Sequence, residues 1–276
     1  MTAIRSLFAV LAFVWAVPIG AAQLPDEVTA QISAAQVVIL GEVHDNPSHH
    51  ARQVAAVDVL KPRAIVWEML DDVQAARISS ELISAPDRMA QVLAWTDAGW
   101  PAFTMYHPIF AAAIDSRHYG AGIPRAAARA AMEGGAAAAF GAQAARYGLT
   151  IDLPADDQKS REAFQMSAHC DALPADMLPA MVDIQRLRDA ALAQAVLLAL
   201  EETGGPVAVI TGNGHARRDW GVPVFLDRVR PGLDVLVVGQ SEDGRIEGDF
   251  DLVLDSPSVD RPDPCDVFRN HTREDQ

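Results

Sequence analysis

The chain has 276 residues, of which 50% are hydrophobic and 21% are charged, a composition typical of a globular protein rather than a disordered one. Its formal net charge of -15 disfavours nucleic acid and anionic lipid surfaces as partners, because both repel an acidic protein. The length suits one domain, or one domain with an insertion.

The N-terminus has the pattern of a targeting segment. Arg5 precedes an apolar run over residues 7–17, and Pro18 and small residues up to Ala22 follow it. The run is too short to span a bilayer comfortably. We therefore expect residues 1–22 to be a cleaved signal peptide and the mature protein to be periplasmic, without a lipidation cysteine. An uncleaved anchor is the alternative.

Four short apolar runs rich in β-branched residues predict strands. They cover residues 37–40, 64–67, 207–210 and 235–238. None alternates polar with apolar residues, which is typical of parallel strands covered on both faces. Helical patterns lie between them, at residues 47–60 after an Asn46 N-cap and at about 178–202. This alternation predicts an α/β fold with a mainly parallel sheet flanked by helices.

The middle of the chain differs from the two flanking parts. Residues 72–175 are Ala-rich and helical, with Pro and Gly interruptions and a weaker strand near residues 119–123. We interpret this segment as a helical lid inserted into a sheet domain formed by residues 23–71 and 176–256. The Pro- and Asp-rich tail, residues 257–276, is predicted to be irregular.

The chain contains two cysteines, Cys170 and Cys265. In an oxidising compartment such an isolated pair forms one disulfide, which here would tie the tail to the middle of the chain. Two free thiols are the alternative. Neither cysteine has the spacing of a zinc ligand or a visible base partner, so a structural zinc or a thiol nucleophile is not indicated.

Ionisable side chains follow three of the predicted strands. Glu42 and His44 come after the first, Glu68 after the second and His215 after the third. Because ligands bind beyond the carboxyl ends of strands in an open parallel sheet, we expect these four side chains to share one cleft.

Both histidines stand in a GxxH motif, Gly41–His44 and Gly212–His215. The glycine allows a sharp turn off the strand and a close backbone approach, and the imidazole can bind a metal or a proton near neutral pH. The alternative is that each histidine caps a turn or satisfies a buried backbone group. Two converging carboxylates favour a functional site.

Other candidates stand nearby in sequence. His49 and His50 lie in the first turn of the helix after Asn46, where one of them is placed to face the site. Arg217 and Arg218 follow His215 and suit either an anionic ligand or the surface.

Residues 95–110 are dense in aromatic side chains. They suit the wall of a flat apolar ligand, with Tyr106 or His107 reaching an iron; the alternative is a lid helix that packs its own core. The motifs GxSxG and HExxH, a Walker loop and a GxGxxG after the first strand are absent from the sequence.

At these positions the chain resembles the ChaN-like haem-binding proteins of the Tiki/TraB superfamily. The resemblance rests on LGEVHDNPSHH at 40–50, Glu68 in VWEML, MYHPIF at 105–110, MLPAMVDIQRLRDAALAQAVL at 177–197 and ITGNGHARRDWGVPVFL at 210–226. It implies an α/β domain carrying a smaller helical domain, and a role in binding haem or iron outside the cytoplasm.

The resemblance also implies roles for particular residues. Tyrosine and histidine hold haem in the family, which by position indicates Tyr106 and a motif histidine here. The residues expected to bind the cofactor are Glu42, His44, His49, Glu68, Tyr106, His215 and Arg217. The superfamily includes metal-dependent peptidases and other hydrolases, in which Glu42, His44, Glu68 and His215 would be metal ligands or acid and base groups.

Two functions follow from the sequence. The first, favoured by the resemblance, is a periplasmic haem-binding protein that is not an enzyme, with haem between the sheet edge and the lid and its propionates near Arg52, Arg217 or Arg218. A homodimer or an outer-membrane uptake system are the partners considered besides haem. The second is a metal-dependent peptidase or esterase that uses a divalent ion such as Mn²⁺ or Zn²⁺.

Overall fold

The computed structural model describes residues 23–263 and 265–266. The predicted signal peptide, residues 1–22, and the last ten residues of the tail lie outside this part. The strands are β1 (Val37–Leu40), β2 (Ala64–Trp67), β3 (Arg117–Gly120), β4 (Val207–Ile210), β5 (Val235–Glu242) and β6 (Leu252–Ser256). They form one sheet in the order β3-β2-β4-β1-β5-β6, and each neighbouring pair is parallel. The predicted α/β class with a parallel sheet is confirmed.

The predicted strands match the observed ones closely. β1, β2 and β4 have the predicted limits, and β5 continues four residues beyond its apolar run, to Glu242. β3 starts two residues before the weak strand expected near residues 119–123. β6 was not predicted, because only one of its five residues is fully buried and it forms the sheet edge.

Helices cover both faces of the sheet. They are α1 (Asp26–Ala34), α2 (Pro47–Leu60), α3 (Asp72–Ala75), α4 (Ser80–Ile83), α5 (Pro86–Val92), α6 (Phe103–Ala112), α7 (Arg125–Phe140), α8 (Ala155–Ala168), α9 (Leu178–Thr203), α10 (Asn213–Ala216) and α11 (Val222–Val229). In β1, Val37 and Ile39 join the core under α7, α9 and α11, whereas Val38 and Leu40 join the core under α1, α2 and α6. This two-sided burial explains why the strand sequences are apolar throughout.

The two predicted helices next to the sheet form as expected. The side chain of Asn46 accepts a hydrogen bond from the Ser48 amide at 2.9 Å, and Pro47 occupies the first turn of α2. At the other end of the chain, α9 stops at Gly204, which adopts a left-handed conformation with φ of 78°. Thus α2 begins directly after a capping residue, and α9 ends at a glycine.

The middle segment, residues 72–175, forms α3 to α8 and also supplies β3. β3 pairs with β2, so this segment is attached to the sheet through a strand as well as through its helices. Its position next to the end of β2 brings the start of α7 close to Glu68, which directly follows β2.

A disulfide joins Cys170 and Cys265, whose Cα atoms are 5.4 Å apart and which are separated by 95 residues in the chain. Of the two alternatives for these cysteines, the structure therefore shows the bonded one. Residues 257–263 have neither helix nor strand, whereas residues 265–266 are helical, and the irregular tail stays a prediction. Within the described residues, we find no helix with the length and apolar character needed to cross a bilayer.

Candidate functional site

The loops after β1, β2 and β4 bring four ionisable side chains to one edge of the sheet. His44 Nδ1 lies 2.7 Å from Glu42 Oε1, and His215 Nε2 lies 3.6 Å from Glu68 Oε1. The two pairs meet at Gly212, since a Cβ atom placed there would lie 3.1 Å from His44 Nε2 and 3.7 Å from Glu68 Oε2. The structure thus places all four residues at the shared edge that the sequence predicted.

The two GxxH loops pack closely against each other at Gly41 and Gly212. A Cβ atom at Gly41 would lie 2.4 Å from Asn213 Oδ1, and one at Gly212 would crowd His44 Nε2. Each glycine therefore leaves room for a side chain of the other loop. The close approach of the two loops, rather than an unusual backbone conformation, explains why each motif begins with glycine.

Glu42 and His44, here called the front pair, form the more open half of the site. Glu42 Oε1 accepts hydrogen bonds from Tyr106 at 2.6 Å and from His44 at 2.7 Å, and Gln53 donates to Oε2 at 2.7 Å. The His44 side chain is 32% exposed, and its ring lies 5.1 Å from that of Trp100. Burial alone would lower the pKa of His44, but the Glu42 hydrogen bond and the charge of Glu68 raise it to about 9.

Asp189, His215 and Glu68, here called the back triad, form the buried half. Asp189 Oδ1 lies 2.7 Å from His215 Nδ1, and Glu68 Oε2 accepts hydrogen bonds from Thr211 Oγ1 at 2.7 Å and the Gly212 amide at 2.8 Å. Burial opposes the charge on His215, yet the two carboxylates raise its pKa. Burial likewise opposes the charge on Glu68, but the two site histidines lower its pKa to about 2. Burial raises the pKa of Asp189, so the triad places one imidazole ring between two carboxyl groups whose pKa values move in opposite directions.

Tyr106 does not face the open part of the site. Its side chain is fully buried, and its hydroxyl donates to Glu42. Burial, followed by the charge of Glu42, raises the pKa of this hydroxyl well above its usual range, so the phenol stays neutral. His107, the other residue considered for an iron, has Nε2 2.8 Å from the Ile83 carbonyl. Tyr106 thus supports Glu42 from within the core, whereas the hydrogen bond of His107 joins it to the end of α4.

His49 and His50 hold the loop that carries His44. The Val43 amide donates to His49 Nδ1 at 2.9 Å, and His50 Nε2 lies 2.8 Å from the His44 carbonyl. Burial lowers the pKa of His49, which favours the neutral ring that this hydrogen bond requires. The structure therefore places both imidazoles behind the loop and not in the open part of the site.

The arginines that the sequence placed at a propionate lie elsewhere. Arg217 Nε donates to Asp219 at 2.7 Å, and its guanidinium stacks 3.8 Å from the Trp220 ring centroid. Arg218 pairs with Asp251, and Arg52 donates to the Asp255 carbonyl. Each of the three is engaged by a nearby carboxylate or carbonyl, and the expectation that some of them face the ligand stays a prediction.

A cleft of about 420 Å³ opens beside Glu68. Apolar side chains form much of its wall, namely Met69, Trp100, Ala121, Ile123 and Leu192. Arg125, at the start of α7, and Arg188, on α9, supply positive charge, and Asp71 and Asp97 also line the cleft. This cleft combines an apolar surface with basic groups at the predicted edge of the sheet.

A larger groove of about 710 Å³ lies between α1, α2 and α6, with Val54, Val59 and Met105 in its wall. It is mainly apolar, and no arginine or lysine is among the described residues that line it. An anionic ligand therefore finds a better complement in the cleft beside Glu68 than in this groove.

The sequence also predicted a divalent-ion site at this edge of the sheet. Over residues 23–263 and 265–266, no group of three or more His, Cys, Asp or Glu side chains is arranged to hold a metal ion. The Nδ1 atoms of His44 and His215 are each engaged by a carboxylate. The geometry gives no support to the divalent-ion site expected from Glu42, His44, Glu68 and His215.

Sequence reasoning missed several residues of the site. Asp189 stands at helical spacing from the buried Ala193 and Val196, so a carboxylate on the apolar face of α9 was a signal that could have identified it. Arg125 and Arg188 gave no such signal, because both are exposed and lie far in sequence from the motifs. Their place in the cleft follows only from the packing of α7 and α9.

Comparisons with known proteins identify the family and the fold. The family model described as haem-binding uptake, Tiki superfamily, ChaN matches residues 28–226. ChaN of Campylobacter jejuni, solved with cofacial haem, aligns with a TM-score of 0.66 at 19% identity over 83% of this chain and 90% of that one. At this identity the likeness concerns the fold.

Two further solved structures are more distant. The type III effector HopBA1 aligns with a TM-score of 0.48 at 12% identity, over 85% of this chain and 93% of that one. A Bacillus cereus protein gives 0.44 at 13% identity, over 78% and 68%. A search among curated proteins finds no significant match.

Proposed function

Since the chain belongs to the ChaN family of haem-binding uptake proteins in the Tiki superfamily, we propose that it binds haem in the cleft beside Glu68, at the carboxyl ends of the strands. The observation that carries this proposal is the family match over residues 28–226. The helical segment that supplies Trp100 and the start of α7 covers the cleft as a lid.

The residues of the cleft fit haem chemically. Trp100, Ile123 and Leu192 offer apolar surface to a flat macrocycle, and Arg125 and Arg188 suit the two propionates. The half-exposed imidazole of His44 lies at the same edge, against the ring of Trp100. The cleft thus offers apolar walls and paired cations, and a partly exposed imidazole lies beside Trp100 in its wall.

When bound, haem would supply an iron that a side chain of the protein could hold. We propose that His44 would hold this iron, because the hydrogen bond to Glu42 occupies Nδ1 and leaves Nε2, which would release its proton to solvent on binding, as the ring nitrogen for the metal. Tyr106, by contrast, is buried and neutral, and we assign it the role of holding Glu42. The sequence-based assignment of Tyr106 as a ligand is thus replaced by a supporting role in this proposal.

We also propose that the protein acts outside the cytoplasm, in the periplasm. The signal-peptide pattern of residues 1–22 supports this location. The disulfide between Cys170 and Cys265 supports it independently, because such bonds persist in oxidising compartments. A second copy of the chain and an outer-membrane uptake system remain predicted partners.

Titration of the mature chain, residues 23–276, with ferric haem tests the proposal. We expect a saturable change with a Soret band displaced from that of free haem. Replacing Arg125 and Arg188 together by alanine is expected to weaken binding about tenfold, since each lost charge-assisted contact costs roughly 0.7 kcal/mol. Arg129→Ala, an exposed arginine of α7 outside the cleft lining, is the matched control. An unchanged free-haem spectrum throughout the titration would overturn the proposal.

A further inference from the structure

The C-terminal strap, residues 257–263, crosses the loop that carries His44. Its residue Arg261 lies between two carboxylates. Arg261 Nε and Nη2 donate to the two oxygens of Asp45 at 2.8 Å each, and Nη1 and Nη2 donate to the two oxygens of Glu242 at 2.7 Å each. A guanidinium that engages two carboxylates in this forked geometry fixes their relative position.

Both carboxylates are linked to the loop. Asp45 directly follows His44, and the side chain of the next residue, Asn46, donates to Glu242 at 2.7 Å and to the Pro257 carbonyl at 3.1 Å. The two residues after His44 are thus held by the strap and by the end of β5. The loop has little freedom to move unless these contacts break.

The strap is itself fastened at its far end. Cys265, four residues after Arg261, is bonded to Cys170 beyond the end of α8. The chain on both sides of Arg261 is therefore anchored, by Asn46 at Pro257 and by the disulfide at Cys265. This anchoring keeps the guanidinium in place although its side chain is 29% exposed.

We propose that Arg261 is a positioning residue of the haem site, which holds the Asp45 end of the loop and so fixes the position of the His44 imidazole beside Trp100. The inference rests on the proposed function. Without the guanidinium, Asp45 and Glu242 would face each other as two carboxylates with no cation between them. Their repulsion would displace the loop and the imidazole next to it.

Haem titrations of three variants test the role. Arg261→Ala is expected to weaken haem binding about tenfold, as loss of a residue that orients a metal ligand does, and to shift the Soret band at saturation. Arg261→Lys keeps the charge but not the fork, so we expect a smaller loss in the same direction. Arg245→Ala removes an exposed ion pair with Asp243 from the nearby turn and is expected to bind as the wild type does.

A double-mutant cycle separates positioning from a general structural effect. In a His44→Ala background, Arg261→Ala should cause little further loss, because the residue acts through His44. An equal fold-loss in both backgrounds, or wild-type affinity and spectrum in Arg261→Ala, would overturn the inference while leaving the proposed function intact. Failure of the wild type to bind haem would instead remove the proposed function.

A second variant covers the case in which Arg261→Ala does not fold. Asp45→Asn keeps the ion pair between Arg261 and Glu242 and removes only the charge that ties the loop to the strap. We expect a several-fold loss of haem affinity and a Soret shift in the same direction. Wild-type binding by Asp45→Asn would also overturn the inference.

Discussion

The front pair and the back triad are built from the same motif but differ in exposure. In each, an imidazole of a GxxH motif has Nδ1 2.7 Å from a carboxylate oxygen. His44 is 32% exposed beside the ring of Trp100, whereas His215 is 7% exposed between Glu68 and Asp189. The Glu68 carboxylate near Nε2 and the covering helix α9 therefore enclose His215, whereas the ring of His44 stays partly open to solvent.

The largest expected effect comes from breaking the back triad. Asp189→Ala leaves the buried His215 with one carboxylate instead of two, so we expect the free energy of unfolding to fall by about 3–5 kcal/mol. Urea denaturation measures this change. Glu201→Ala, which removes an exposed carboxylate from the same helix, should change the free energy by at most about 0.5 kcal/mol. Equal losses in the two variants would contradict a structural triad.

Another buried imidazole, His118, extends the comparison, because among the described residues no carboxylate pairs with it. Burial lowers the pKa of His118 to about 4 from the usual 6.5, so the folded protein keeps it neutral while the unfolded chain takes up a proton below pH 6.5. Its contribution to stability is complete above pH 6.5 and is lost as the pH falls towards 4. We expect the lowered pKa of His118 to reduce the free energy of unfolding by roughly 2–3 kcal/mol when the pH falls from 7 to 4.5.

Urea denaturation of wild type and His118→Asn at the two pH values measures that loss. Asparagine does not titrate but offers an oxygen to the Trp67 indole, which donates to His118 Nδ1 at 3.0 Å. The variant should therefore lose less stability than the wild type on acidification. The same loss in both proteins would show that His118 is not the group responsible.

A smaller effect is expected from crowding the front pair. A Cβ atom at Gly212 would lie 3.1 Å from His44 Nε2, so Gly212→Ala should displace the imidazole and weaken haem binding about three- to tenfold, or roughly 0.7–1.4 kcal/mol. Gly214→Ala lies in the same motif with open space around it and serves as the control. If the two variants bound haem equally well, the close approach of Gly212 to His44 would not matter for haem binding.

The sequence predicted what depends on local pattern and on the rule for parallel sheets. β-branched apolar runs identified β1, β2, β4 and the start of β5, and their common direction brought Glu42, His44, Glu68 and His215 together. β6 escaped prediction because an edge strand needs no continuous apolar run.

What the sequence left undetermined depends on tertiary contacts. The sequence did not show which face of α6 carries Tyr106, and the structure places that phenol in the core. Arg261 lies 216 residues from its partner Asp45, and nothing local to either residue indicates their pairing. The difference in exposure between the front pair and the back triad also depends on a tertiary contact, the packing of α9 over His215.

The absorbance spectrum of His44→Ala during haem titration, measured beside that of wild type, tests the central claim most directly. We expect the wild type to show a displaced Soret band with saturable binding. His44→Ala should bind at least about tenfold more weakly, a loss of about 1.4 kcal/mol, and with a different band position. A variant with the affinity and spectrum of the wild type would contradict the assignment of His44 to the iron.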